Sequence, residues 1–184
     1  MKVMRHYDTD LTEKQWRIIA KLLPNQKKGR KPIDRRRIIN ALFYLVRTGC
    51  QWRNPPKEFP KWKTVYTVFR RRRIAGVRKG IHDALNRIMR KIKGKKPTPS
   101  IGTMVAAVHT ACIQDYDGAK LVLNAIGDQF KRLKVIVERA FAWINKYRRN
   151  SKDYERNPEN SVAMIHLAMA ARMLRYLQNR NITV

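Results

Sequence analysis

The sequence predicts a mainly α-helical chain. Apolar residues recur at three- and four-residue intervals over most of its length, and helix-starting Thr, Asp and Ser with helix-stopping Gly punctuate those stretches. Only one short segment, MVAAVHTACI, has the small and β-branched composition of a strand, and one strand cannot make a sheet.

The elements follow in order. Thr12 precedes the apolar set Trp16, Ile19, Ala20 and Leu23, and Gln15 completes a capping box, so a first helix is expected over about Thr12 to Leu23. After the basic loop NQKKGRKP, Asp34 can cap a second helix that faces Ile38, Ile39, Leu42, Leu45 and Val46 inward and stops at Gly49. Three prolines in CQWRNPPKEFPKW forbid a helical ladder, which leaves a loop with Trp52, Phe59 and Trp62 expected as its core, base stacking by these rings being the alternative. A third helix begins near Lys63 or Thr64 with Val65, Val68 and Phe69 inward, and Gly76 breaks it. A fourth runs from Val77 to about Lys93 with Val77, Ile81, Leu85, Ile88 and Ile92 at helical spacing. Further on, Asp115 can cap a helix through Leu123, and a long helix from about Phe130 to Arg149 aligns Leu133, Val137, Phe141 and Ile144. The polar loop NSKDYERNPEN separates it from a last helix opened by Ser161, with Val162, Ile165, Met169, Met173 and Leu177 inward and the Met164, Met169 and Met173 cluster as packing.

Charge narrows the function. The chain has 184 residues, 43% of them hydrophobic and 30% charged, which is enough for a core under a heavily charged surface. Lys and Arg number 42 against 13 Asp and Glu, a net charge of +29 that suits a polyanion, most simply nucleic acid. Ribosomal RNA or a membrane surface would suit it too. No apolar run reaches the ~18 residues that cross a bilayer, and MKVMRHYDTDLTEKQW lacks the apolar centre of a signal peptide, so the expected place is the cytoplasm, with no membrane partner. Cys50 and Cys112 are too few for a disulfide framework. Residues 1–100 hold 29 basic and 6 acidic side chains, a surplus of 23, while residues 101–184 hold 13 and 7. The stretch KGKKPTPSIG stops helical periodicity between them. The expected division is a DNA-binding unit at 1–93, a linker at 94–103 and a second unit at 104–184.

Short helices with a basic, aromatic-bearing third helix fit a helix-turn-helix unit, in which that helix enters the major groove. Tyr66, Arg70 and Arg73 are expected on the groove side, with Lys63 at the helix start and Arg71 and Arg72 at the rim against phosphates. Lys27, Lys28, Arg30 and Lys31, beside Arg35, Arg36 and Arg37, form a second basic cluster suited to a minor groove or a phosphate rail. A solvated helix face and a solvated loop are the plain alternatives.

The segments LTEKQWRIIAKLLP and GRKPIDRRRIINALFYLVRTGCQWRNPPKEFPKWKTVYTVFRRRRIAGV resemble the N-terminal DNA-binding region of bacterial insertion-sequence transposases of the IS4/IS5 superfamily, from about Leu11 to Leu85. HTACIQDYDGAKLVL and VERAFAWINKYRRNSKDYERNPENSVAMIHLAMAARMLRYL resemble later parts of the same family. The resemblance implies a ribonuclease-H-like α/β catalytic domain, of the type that holds two Mg2+ ions with two Asp and one Glu and displaces at phosphorus. It assigns the third acid to Glu138, with trailing basic residues near Lys146 and Arg148. The family's first aspartate motif should lie between Ser100 and VAAVH, and its second between DGAKLVL and VERAFAW; neither is present. The chain therefore resembles an internally shortened transposase, a helix-turn-helix unit followed by a mostly helical remnant of the catalytic domain.

In this form no cofactor is expected, and Glu138 would hold metal only if the site were rebuilt. Asp115 and Asp117 read as helix caps, and Asp128 lacks the Gly-Tyr of the lost motif. His6 and His82 read as exposed or satisfied, His109 and His166 lie on mixed faces, and no pair has ligand spacing. The expected partner is double-stranded DNA, the terminal inverted repeats of a transposon, together with a second copy or a full-length transposase through which a fragment could remain active. The rival from another class is a regulatory or RNA-binding basic protein that competes with or partners such an enzyme.

Overall fold

The computed structural model describes residues 7–24, 34–95, 142–152 and 154–180, and every regular element among them is helical. The α1 helix, Glu13–Leu22, starts as expected: the Thr12 hydroxyl accepts from the Gln15 amide, and the Gln15 side chain accepts from the Thr12 amide. The α2 helix, Arg35–Thr48, is capped by the Asp34 carboxylate, which accepts from the Arg36 and Arg37 amides. It ends at Gly49, whose φ of 71° lies in the left-handed region. A side chain there would also meet Arg148, 3.0 Å from the nearest atom, so backbone conformation and packing both favour glycine.

The α3 helix, Trp62–Ile74, and the α4 helix, Val77–Ile92, are joined by Ala75 and Gly76 alone. By contrast, residues 49–61 separate α2 from α3, far more than the ~3–4 residues of a tight helix-turn-helix connection. The three prolines impose that length. The loop is held on one side by Tyr7, Tyr44 and Phe59, whose ring centroids lie 4.8–5.2 Å apart, and on the other by Trp52 against Tyr66 and Phe69 at 5.0 and 4.9 Å. Trp52 and Phe59 thus pack as expected of loop core, whereas Trp62 lines an open cleft at the head of α3.

Two expectations about the later chain are corrected. The helix expected through Arg149 has ended by then: residues 142–144 are helical, Tyr147 is extended, and Arg148–Asn150 form a single 3-10 turn. That turn carries Tyr147 and Arg149 into the interior, which a continued helix would not do. The last helix, α5, runs Pro158–Asn179 and so begins before Ser161: the Asn157 side chain accepts from the Glu159 amide, and Pro158, with no N–H to lose, takes the first helical position. The possible strand, the helix after Asp115 and most of the 94–103 linker lie outside the described residues.

The α5 helix buries more of its surface than one stripe. Ala163, Met164, Leu167, Ala168, Ala170, Ala171, Met173, Leu174 and Leu177 are all buried, while Val162, Ile165 and Met169, expected inward, are only partly covered. It lies most extensively against α4 and also touches α1 and α2, and its alanines let those neighbours approach. The described part of residues 104–184 therefore shares one hydrophobic core with the N-terminal helices, joining Leu11, Leu42, Leu45, Phe69 and Leu85.

Candidate nucleic-acid interface

Val65 and Phe69 set the roll of α3 by burying themselves against the core. The opposite side, at 100° per residue, carries Lys63, Thr67, Arg70, Arg71 and Ile74, and all five are exposed, Ile74 to 70%. This is one continuous outward stripe along the whole helix. It contains three cations, one hydroxyl and one apolar side chain, a mixture able to meet phosphate oxygens, base edges and a thymine methyl group.

The structure separates the residues expected together on the groove side. Lys63, Arg70 and Arg71 lie on the stripe. Tyr66 does not: it is half-buried against Trp52 and Phe69. Arg73 turns towards α5 and pairs with Glu159, leaving its own side chain only 14% exposed. Arg72, expected at the rim, lines a small cavity with Ile19, Leu42 and His166, and burial pulls its guanidinium below its ordinary pKa. Four consecutive arginines span more than one helical turn, so some must point inward whatever the sequence suggests.

The second basic cluster divides likewise. Lys27, Lys28, Arg30 and Lys31 lie outside the described residues. Arg36 is buried: it donates to Glu13 and to the Leu11 carbonyl, both at 2.7 Å, and so ties α2 to α1 instead of facing a groove. Its guanidinium, with Arg17 nearby, holds the Glu13 carboxyl below the usual carboxylate range. Arg35 is half-buried and donates to the Pro24 carbonyl at 2.8 Å. Arg37 is exposed and donates to the Glu58 carbonyl.

Carboxylates of the described residues are largely taken up by the chain itself. Glu13 pairs with Arg36, Glu155 with Arg149 and Glu159 with Arg73, while Asp34 caps α2 and Glu58 accepts from the Tyr7 hydroxyl. The exposed cations of α3 therefore face solvent without acids on their stripe.

No group of three or more His, Cys, Asp or Glu that could hold a metal ion occurs among the described residues. The histidines there make a packing contact: His82 is buried in α4 with its ring centroid 5.2 Å from that of His166 on α5, and its Nδ1 is 3.3 Å from Asp83. Glu138, Asp115, Asp117 and Asp128 lie outside the described residues. Cys50 is a free, half-buried thiol. No described helix is long and apolar enough to cross a membrane.

Sequence reasoning missed several side chains. Thr67 and Ile74 complete the outward stripe, and the positions of Val65 and Phe69 alone would have placed them there. Arg149 and Glu155, 2.6 Å apart and both buried, had no sequence signal, because 5 residues between them lie in a polar loop.

Among the described residues, fold and surface together define a basic, helical unit with an open cationic stripe on its third helix. Residues 11–82, less than half of the chain, match the model of the family DUF4096, described as "Putative transposase of IS4/5 family". No curated protein and no solved structure gives a significant match.

Proposed function

We propose that the chain binds double-stranded DNA at the terminal inverted repeats of an insertion sequence, with the outward stripe of α3 in the major groove. The observation that carries this reading is the alignment of Lys63, Thr67, Arg70 and Arg71 on one exposed side of a helix within the family-matched region. Arginine supports base reading because its planar fork donates twice to guanine. The absence of a tight turn between α2 and α3 makes this a helix-turn-helix unit only in a broad sense, with the aromatic loop taking the place of the turn.

The same reading extends to catalysis. Glu138 is the acid that the family resemblance assigns, and two aspartate motifs are missing from the sequence, so the chain by itself recognises ends without cutting them. Mg2+ belongs to intact family members, and a second copy or a full-length transposase is the natural protein partner.

Competition binding tests the proposal. The terminal repeats flanking the gene, a scrambled duplex of equal length and a structured RNA are compared at matched salt with Mg2+ present. The expected result is tightest binding to the repeat, with the strand left intact. Equal or tighter binding of the RNA would favour the regulatory, RNA-binding alternative, and specific nicking abolished in Glu138→Gln would show an active metal site.

A further inference from the structure

An open cleft of about 750 Å3 lies between the proline-rich loop, the head of α3 and the segment leading into α5. Four aromatic side chains line it: Trp52, Trp62, Tyr66 and Tyr154. Two of them are anchored. Trp52 packs edge-on against Tyr66 and Phe69 and donates through Nε1 to Glu155 at 3.2 Å, while Glu155 is itself neutralised by the buried Arg149. The other two are accessible: Tyr154 is 52% exposed, and Trp62 stands at the N-terminus of α3 under loose cover from Arg53 and Lys63, which lie 5.5 and 5.9 Å from its ring centre. Arg53 and Arg156, both exposed, complete the wall.

We infer that this cleft receives unpaired nucleotides of a single DNA strand, with a base stacked on Trp62 or Tyr154 and its phosphates held by Arg53 and Arg156. Three features point to this occupant. Flat aromatic surfaces beside cations are what a single strand uses, since every base has a face to stack and every linkage a negative charge. Among the described residues the one carboxylate in the wall, Glu155, is already spent on Arg149 and Trp52, so it does not repel a phosphate at full charge. The size falls within the roughly 300–1,000 Å3 that holds small organic ligands, and duplex DNA would leave its bases covered. The site lies at the head of α3, whose outward stripe is proposed to hold duplex, so it is placed for a strand leaving the paired region.

Fluorescence anisotropy with a labelled mixed-sequence eight-nucleotide single strand and an abasic strand of the same length provides the test, using the full chain. The base-bearing strand should bind more tightly. Trp62→Ala and Tyr154→Ala should each weaken it by about 5- to 150-fold, the range for loss of one stacked base, while Trp62→Phe restores most of the affinity. Arg53→Ala should weaken both strands alike. Blunt duplex binding should survive Trp62→Ala, and single-strand binding should survive Arg70→Ala with Arg71→Ala, which keeps this inference separable from the duplex proposal. Equal affinity for the two strands, or unchanged affinity in both Trp62→Ala and Tyr154→Ala, would overturn it. Because Trp62 is partly exposed and Tyr154 more so, thermal melting of the variants distinguishes lost stacking from lost folding.

Discussion

The ion pair between Arg149 and Glu155 is covered on both sides, at 5% and 7% side-chain exposure, and it does more than neutralise charge. Arg149 also donates to the Cys50 carbonyl at 2.8 Å, and Glu155 accepts from the Trp52 indole, so one pair of side chains fastens the proline-rich loop to the segment before α5. Removing one partner leaves a buried charge uncompensated, which costs about 3–5 kcal/mol. Glu155→Ala should therefore lower the stability by that order in a urea titration, and Arg149→Met with Glu155→Leu should recover most of the loss. A loss below about 1 kcal/mol in the single variant would mean that water reaches the pair. Arg36 acts similarly between α1 and α2, but its partner Glu13 is exposed, so the contact there rests on the buried hydrogen bond to the Leu11 carbonyl.

At the scale of elements, what sequence made legible was whatever a local rule decides. Thr12 with Gln15, Asp34 and Gly49 mark helix ends because the groups that satisfy the terminal backbone lie within a few residues. Ser161 was the wrong start for α5 because Asn157 and Pro158 sit in a polar stretch that looks like loop, though a capping side chain before proline is itself a start signal. The roll of α3 was harder. Tyr66 and Arg73 lie on the flank of the helix, and only the positions of Trp52 and Glu159, distant in sequence, decide that they turn inward. The difference is measurable in DNA binding. Arg70→Ala or Arg71→Ala should each cost about 1–3 kcal/mol of affinity for the repeat if they reach base edges. Arg73→Ala should leave affinity unchanged and alter stability by only about 0–1 kcal/mol, since Glu159 is exposed. The reverse order, with Arg73 dominant, would place the groove side where the sequence pattern alone suggested.

On the scale of the whole molecule, α5 fills a core begun by the N-terminal helices, with Met164, Leu174 and Leu177 among the most deeply buried side chains. Residues far apart in the chain thus brace the unit that carries α3, a relation no periodicity within either half reveals. Over this frame lies a net charge of +29, concentrated in residues 1–100. Binding driven by such a surface releases counterions from DNA, and each phosphate neutralised steepens the dependence on salt. The most direct test is the association constant for a terminal-repeat duplex, measured with the full chain as salt is raised. A protein making about 6–10 phosphate contacts loses roughly 10³–10⁵ in affinity between about 50 and 200 mM salt, and a fall of that order is expected here. An association constant that barely changes over the same range would contradict DNA binding as the use of this charge.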